Sequence, residues 1–135
     1  MPLLENDVIF AYLNQHDKNH LAAEQVFKAL CLGELHPEVS SVALLEMELI
    51  YRSRGIEELL LSHLAAVSAL PNIRYAPLTP DLVLASVYLR QTLGLTFFDS
   101  HYAATALNYD RQIISADRAY DKVPGIIRID PTTYL

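Results

Sequence analysis

The sequence predicts an α/β fold, in which a mostly parallel central sheet is covered by helices on both faces to give a three-layer α/β/α sandwich. Short apolar runs alternate along the chain with segments whose apolar residues recur every three or four positions. Strands that alternate with helices are joined by right-handed crossovers, which makes the strands parallel. At 135 residues the chain is long enough for one domain, residues 1–135, and no second domain is needed.

Caps and helix stops define the elements, because Ser, Thr, Asp and Asn favour helix N-caps whereas Gly and Pro end helices. In the first half they give strand Leu3–Leu4, helix Val8–Asn14, helix Lys18–Leu32 between Asp17 and Gly33, strand Glu38–Ser40, and a helix from Ser40 or Ser41 to Arg54. In the second half they give helix Ile56–Leu70 before Pro71, strand Asn72–Tyr75, helix Pro80–Leu93 between Thr79 and Gly94, a helix from Asp99, and strands Gln112–Ile114 and Ile126–Ile129.

Composition limits the function classes. Hydrophobic residues make up 52% and charged residues 19%, which excludes a disordered chain and predicts an apolar surface suited to self-association. Apolar runs are too short to cross a membrane, and the N-terminus lacks signal-peptide features, so we expect a cytoplasmic protein with no membrane partner. The single cysteine, Cys31, is expected to be a buried small apolar residue.

The net charge of −6 argues against a polyanionic substrate, because association with nucleic acid is favoured by positive potential. The objection weakens if the acids surround a metal ion and the basic residues form a rim. The rim candidates are Arg52, Arg54, Arg74, Arg90, Arg111, Arg118, Lys122 and Arg128.

Acidic residues follow two predicted strands. Glu5 and Asp7 come after the first strand, and Asp117 follows Gln112–Ile114. Sites in open parallel sheets form beyond the carboxyl ends of strands, so these acids are candidates for one site. A purely structural interpretation stays open, since acids at these places also cap helices and turns.

Two further acids occupy apolar helix faces. Glu46 shares its predicted face with Val42, Leu45, Leu49 and Ile50, where a charged residue needs a partner, either an arginine or a metal. Asp99 shares its stripe with the residues at spacings of three, four, seven and eight, which are Tyr102, Ala103, Ala106 and Leu107. Alternatively, Asp99 caps its helix.

A cluster of these acids requires a cation. At about 5 Å and an effective dielectric constant near 20, each carboxylate pair repels by roughly 3 kcal/mol. Oxygen ligands without histidine or cysteine favour Mg²⁺ or Mn²⁺, which activate water for attack on a phosphodiester. The predicted catalytic and metal-binding residues are Glu5, Asp7, Glu46, Asp99 and Asp117, supported by Asn6, Ser115 and Asp121.

Four segments together resemble the PIN domain, the nuclease domain of VapC-type toxins. They are Leu3-Leu4-Glu5-Asn6-Asp7-Val8, Ser41-Val42-Ala43-Leu44-Leu45-Glu46, Gly94-Leu95-x-x-x-Asp99-x-x-x-Ala103-Ala104-Thr105-Ala106 and Ile114-Ser115-Ala116-Asp117. The resemblance implies a single-strand endoribonuclease dependent on Mg²⁺ or Mn²⁺, a homodimer and a cognate antitoxin. It also carries metal ligation onto Glu46, Asp99 and Asp117 and a supporting hydroxyl onto Ser115.

The first segment departs from the family pattern of Asp, Thr and then Asn or Ser. Here Glu5, Asn6 and Asp7 stand instead, so either Glu5 reaches the metal with its extra methylene or Asp7 takes its role. Two alternatives therefore stay open. One is a catalytically weak PIN fold that binds RNA or a partner. The other is a phosphoacceptor receiver domain, although Asp117 stands where that class expects a lysine.

Overall fold

The computed structural model describes residues 1–135 and contains one five-stranded sheet in which every neighbouring pair is parallel. The strands are β1 (Leu3–Leu4), β2 (Glu38–Ser40), β3 (Arg74–Ala76), β4 (Gln112–Ile114) and β5 (Ile127–Ile129). The helices are α1 (Asn6–Leu13), α2 (His20–Cys31), α3 (Val42–Ser53), α4 (Leu60–Ser68), α5 (Pro80–Leu93) and α6 (Phe97–Asn108). Short 3-10 helices cover Glu57–Leu59, Arg118–Lys122 and Pro131–Tyr134.

The strand order β3-β2-β1-β4-β5 contains one reversal of direction. The connections from β1 through β2 to β3 run one way across the sheet, and the α5–α6 connection returns to place β4 beside β1. Right-handed crossovers running in opposite directions lie on opposite faces, which gives the three layers. The predicted α/β/α sandwich is confirmed. The order differs from the 2-1-3-4-5 order of receiver domains, so that alternative is wrong.

The reversal places β1 and β4 at the centre of the sheet, with Leu3 opposite Ile113 and Leu4 opposite Ile114. From these two strands the chain leaves in opposite directions, which opens a crevice beyond their carboxyl ends. Glu5 and Ser115 are the first residues after the two strands. The topology therefore brings two of the predicted segments together.

Helix starts differ from the prediction where side chains cap differently. Helix α1 begins at Asn6 rather than Val8, because Glu5 is the N-cap and its Oε1 accepts a hydrogen bond from the Asp7 N–H. Helix α6 begins at Phe97 after the N-cap Thr96, so Asp99 lies inside the first turn and is not the cap.

Two burial predictions are wrong. Cys31 is exposed, because the last turn of α2 buries Leu30 instead. On α3 the buried side chains are Val42, Ala43, Met47 and Tyr51. The predicted stripe is displaced around the helix, and Leu45 and Leu49 face outward with about half of their surface exposed, 52% and 50%.

The core lies on both faces of β1 and β4. Helix α6 packs closely there because Ala103, Ala104 and Ala106 are all buried. The largest buried side chains include Tyr102 and Tyr120, whose hydroxyl groups point toward the crevice acids described below. None of the helices is both long and apolar enough to cross a bilayer.

Replacing a leucine in the central strand tests this packing. Leu4 is 1% exposed, so Leu4→Ala should lower the free energy of unfolding by about 2–5 kcal/mol through lost burial and a residual cavity. Leu61→Ala is the matched control, because Leu61 is 82% exposed and its truncation should change stability by less than about 0.5 kcal/mol. Urea denaturation measures both, and equal effects would contradict the assignment of Leu4 to the core.

Candidate active site

Three side chains meet beyond β1 and β4. The Ser115 hydroxyl lies 3.2 Å from Glu5 Oε2 and 2.9 Å from Asp7 Oδ2, and so donates to one of the two carboxylates. The backbone N–H of Ala116 also donates to Asp7 Oδ2, at 2.9 Å. Ser115 is fully buried and Glu5 is only 5% exposed. The two strand-end segments are thus joined through the buried Glu5 and the partly buried Asp7.

Glu46 is held from two other elements. The Asn6 side-chain amide donates to Glu46 Oε1 at 2.9 Å and to the Ala43 carbonyl at 2.8 Å. The Tyr102 hydroxyl donates to the same Glu46 oxygen at 2.8 Å. The alternative of a buried salt bridge to arginine is therefore wrong, because the partners of Glu46 are an amide and a phenol. Asn6 supports Glu46 directly.

Asp99 and Asp117 complete the group. The Tyr120 hydroxyl donates to Asp99 Oδ1 at 3.2 Å. Asp117 is the N-cap of the Arg118–Lys122 turn, where its Oδ1 accepts from the Ala119 N–H at 2.9 Å, and its own N–H donates to Ser115 Oγ. Asp117 therefore caps this turn, and its negative charge also raises the pKa of Asp99.

The structure does not bring Asp121 into this group. Its carboxylate binds the Arg128 guanidinium, at 2.9 Å and 3.3 Å, on the exposed side of the turn. Arg128 also donates to the Ser115 carbonyl at 3.0 Å and lies 3.4 Å from Asp130. Asp121 therefore acts on the site only through Arg128, which holds the end of β4 in place.

The acids lack a cationic partner. No lysine or arginine forms an ion pair with Glu5, Asp7, Glu46, Asp99 or Asp117. Burial raises the pKa of Glu5 well above its ordinary value, and the nearby carboxylates of Asp7, Glu46 and Asp99 raise it further. Uncompensated negative charge at one crevice is characteristic of a functional site.

Burial also raises the pKa values of Asp7 and Asp99. Hydrogen bonds from Ser115 and Ala116 oppose the shift at Asp7, whereas the Asp117 carboxylate reinforces the shift at Asp99. Each of these carboxylates would therefore gain from a cation that neutralises it.

The donor chemistry fits a hard divalent ion, although the side chains are not in a ready-made coordination sphere. Asp7 Oδ1 is buried and accepts no hydrogen bond, so one carboxylate oxygen lacks any partner. No set of three or more acidic, histidine or cysteine side chains stands at metal-ligand spacing. The carboxylates accept hydrogen bonds from separate parts of the chain: Ser115 lies between Glu5 and Asp7, Asn6 and Tyr102 bind Glu46, and Tyr120 binds Asp99.

Tyr102 and Tyr120 were missed as hydrogen-bond donors to the site, and Arg128 was predicted only as a rim residue. Tyr102 follows Asp99 by three residues and was assigned to its stripe, so its nearness to the acids was readable, but its bond to Glu46 was not. The contacts of Tyr120 and Arg128 were not readable from the sequence, because they depend on how the last 3-10 turn and β5 pack against β4.

A five-stranded parallel sheet with a cluster of acids beyond β1 and β4 defines an α/β domain with an acidic site. Comparison of the sequence with family models gives the family. The sequence model of the PIN domain matches residues 3–126, which is most of the chain. This protein belongs to the PIN-domain family. No curated protein sequence gives a significant match.

Solved structures share the fold at low sequence identity. A VapBC2 complex from Rickettsia felis, bound to a DNA fragment from its promoter, has a TM-score of 0.74 at 14% identity over 94% of this chain and 96% of that chain. VapC20 from Mycobacterium tuberculosis, described as a sarcin-ricin loop cleaving toxin, has a TM-score of 0.71 at 17% identity over 90% and 93%. A toxin–antitoxin complex from Klebsiella pneumoniae has a TM-score of 0.67 at 19% identity over 97% and 98%.

Neutralising the most buried acid should stabilise the metal-free protein. Glu5→Gln removes a buried charge from among like charges, and we expect its free energy of unfolding to rise by roughly 0.5–2 kcal/mol in the presence of a chelator. The exposed Glu48→Gln on α3 is the matched control and should leave stability unchanged. Thermal or urea denaturation gives both values.

The effect of Glu5→Gln should depend on pH. A raised folded-state pKa means that the native state binds more protons, so the contribution of Glu5 is complete below its ordinary pKa of 4.5 and is lost as the pH rises through the folded value. The advantage of the glutamine variant should therefore grow with increasing pH. A constant difference across the pH range would contradict the raised pKa.

Proposed function

We propose that this PIN-domain protein is a divalent-metal-dependent endoribonuclease that cleaves single-stranded RNA. The observation that carries the proposal is the gathering of five acids from four parts of the chain at the β1/β4 crevice without one cationic side chain among them. Membership of the PIN family supports a nuclease. The chemistry of the donors supports Mg²⁺ or Mn²⁺, since both bind carboxylate oxygens and substrate phosphates.

Glu5, Asp7, Glu46, Asp99 and Asp117 are the side chains proposed to hold the ion. A bound divalent ion supplies Lewis-acid polarisation of the phosphodiester and lowers the pKa of water. Asp7 offers Oδ1, which has no hydrogen-bond partner, whereas Oε1 of Glu5 accepts the capping hydrogen bond at the start of α1. We therefore propose that both first-segment acids would help to hold the ion, with Asp7 using its unpartnered oxygen.

The surrounding side chains orient the carboxylates. Burial and the neighbouring acids hold the pKa values of Tyr102 and Tyr120 well above the usual range, so both phenols stay protonated as hydrogen-bond donors. Tyr102 fixes one oxygen of Glu46, and Tyr120 fixes one oxygen of Asp99. Ser115 donates between Glu5 and Asp7, and Arg128 anchors the Ser115 backbone.

We further propose that the protein is the toxin of a toxin–antitoxin pair that acts on RNA in the cytoplasm and has a cognate antitoxin protein. The similar solved structures include toxin–antitoxin complexes from Klebsiella pneumoniae and Rickettsia felis, and one whose title describes cleavage of the sarcin-ricin loop. Their likeness to this chain extends over nearly its whole length, which is the support for a shared biological role.

A homodimer is also proposed, with exposed apolar residues of α3 and α5 forming the contact. Leu84 and Tyr88 lie four residues apart on α5 and are 68% and 66% exposed. Leu45 and Leu49 have the same spacing on α3. Apolar side chains spaced in this way form continuous stripes, which a second copy of the chain would cover.

A catalytically weak PIN fold that binds RNA or a partner is the second candidate. The substitution of the family's Asp-Thr-Asn/Ser pattern by Glu5-Asn6-Asp7 favours it, because Glu5 is committed to capping α1. The two candidates differ in one observable, which is strand scission that depends on Mn²⁺ or Mg²⁺.

Removing the Asp99 charge should distinguish the two candidate functions, because only the nuclease has metal-dependent cleavage to lose. Asp99→Asn is isosteric and keeps the hydrogen bond to Tyr120, and it should lower Mn²⁺-dependent cleavage of single-stranded RNA by at least about 100-fold without unfolding the domain. Asp81→Asn is the matched control, since Asp81 lies in the first turn of α5 and is exposed. Gel-resolved cleavage of labelled RNA, with and without chelator, measures the loss, and unchanged activity in Asp99→Asn would remove the nuclease assignment.

A charge on α5 should dissociate the dimer. Leu84→Asp places a carboxylate in the proposed contact, and we expect the dissociation constant to rise at least about thirtyfold, or ~2 kcal/mol. Leu61→Asp on α4 is the control, because Leu61 is more exposed and lies outside the contact. Analytical ultracentrifugation of the isolated chain reports the oligomeric state, and a monomeric wild type would contradict the proposal.

A further inference from the structure

A cavity of about 800 Å³ opens beside the acid group. Its walls come from α1, the turn after α1, the end of α3 and the start of α4, and Asp7 in the first turn of α1 is one of its lining residues. Its volume falls within the range of ligand pockets, which is roughly 300–1,000 Å³. The cavity is thus continuous with the proposed cleavage site through a single residue.

Aromatic rings supply much of the apolar lining. Phe10 is half-buried, and its ring centroid lies 6.3 Å from that of Tyr51. Tyr12 lines the same cavity and is held by stacking on Phe27, with 4.1 Å between ring centroids. Rings fixed in this way offer rigid faces, which are the surfaces that single-stranded nucleic acids use for stacking of bases.

The His63 side chain is held in place by one hydrogen bond and keeps one ring nitrogen free. The Tyr51 hydroxyl and His63 Nδ1 are hydrogen-bonded at 2.5 Å, and the two rings meet edge to face. The bond occupies one ring nitrogen and leaves His63 Nε2 without a partner in the chain. His63 therefore presents one oriented hydrogen-bonding atom, as recognition of the edge of a base requires.

A cation stands at the rim. Arg54 lines the cavity, is exposed and forms no ion pair, so its guanidinium is free for a phosphate. Of the five proposed metal-binding acids, only Asp7 lines the cavity, whereas Arg54 contributes to the lining from the end of α3. A strand whose scissile phosphate lies at the acids would pass a neighbouring base and phosphate over these groups.

We propose that this cavity is a base-binding subsite for single-stranded RNA, in which an unpaired base next to the cleaved phosphodiester lies against Phe10 and hydrogen-bonds to His63 Nε2. Arg54 binds the adjoining phosphate. The inference rests on the proposed function for the position of the phosphodiester. It adds that the chain has a specificity site of its own within α1, α3 and α4.

Binding measured without cleavage tests the subsite. In an Asp99→Asn background, fluorescence anisotropy with short labelled single-stranded RNA is compared with an oligomer of the same length that lacks bases. His63→Gln should weaken binding of the base-containing RNA about five- to tenfold and leave the abasic oligomer unchanged. His36→Gln is the matched control, because His36 is exposed and does not line the cavity.

Two further measurements keep the result independent of the folding of one variant. Arg54→Gln changes an exposed residue and should weaken both oligomers equally. RNA carrying 4-thiouridine should crosslink to peptides that contain Phe10 or His63.

Equal affinity of the wild-type cavity for base-containing and abasic RNA, or crosslinks confined to other surfaces, would overturn the proposal. Loss of binding to a partner protein in His63→Gln, with RNA binding unchanged, would overturn it in favour of a protein-binding groove. The proposed function is tested separately. It fails if the wild type shows no Mn²⁺-dependent cleavage, and the binding assay does not measure cleavage.

Discussion

Electrostatic repulsion among acids gathered at one crevice, of which Glu5 is buried and Asp7, Glu46 and Asp99 are partly buried, is the constraint on which the rest of this structure depends. The topology brings the ends of β1 and β4 together, and four segments of the chain contribute carboxylates to this crevice. No arginine or lysine forms an ion pair with them, and hydrogen bonds from the chain orient them. Ser115, Tyr102 and Tyr120 provide three of those bonds, each from a different part of the chain, and the Asn6 amide and backbone N–H groups provide others.

These hydrogen bonds explain features that would otherwise be costly in the core. Two tyrosines are buried almost completely although each carries a hydroxyl, because that hydroxyl has an acidic acceptor. The alanines of α6 permit the close approach that lets Tyr102 reach Glu46 on another helix. Packing and charge arrangement therefore depend on each other, because the small residues of α6 set its distance from α3, and these two helices carry Asp99 and Glu46.

The same reasoning separates residues that touch the crevice from those that act at a distance. Arg128 touches no acid of the crevice, yet it joins Asp121, Asp130 and the Ser115 carbonyl and so fixes where β4 ends. Asn6 is buried between α1 and α3 and links Glu46 to the Ala43 carbonyl. Both show how polar groups outside a site determine the orientation of groups within it.

Much of the fold was predictable because its signals are local. The strands Leu3–Leu4, Glu38–Ser40 and Gln112–Ile114 and the helix Pro80–Leu93 match the prediction, since apolar runs, the Thr79-Pro80 start and the Gly94 stop lie within a few residues of each other. The start of α1 was predicted two residues too late, because the sequence does not show that Glu5 rather than Asp7 is the N-cap of this helix. The stripe on α3 was displaced because Leu45 and Leu49 have the right spacing for a core face that Ala43 and Met47 occupy instead.

By itself the sequence determined the alternation of strands and helices and the positions of the acids along the chain, because backbone propensity and apolar periodicity act over short distances. Only the tertiary structure decided that Glu46 binds Tyr102 and Asn6 rather than an arginine, that Asp121 is drawn away by Arg128, and that a cavity with His63 adjoins Asp7. Those outcomes depend on side chains that are far apart in sequence and meet through strand order and helix packing, which no local pattern encodes.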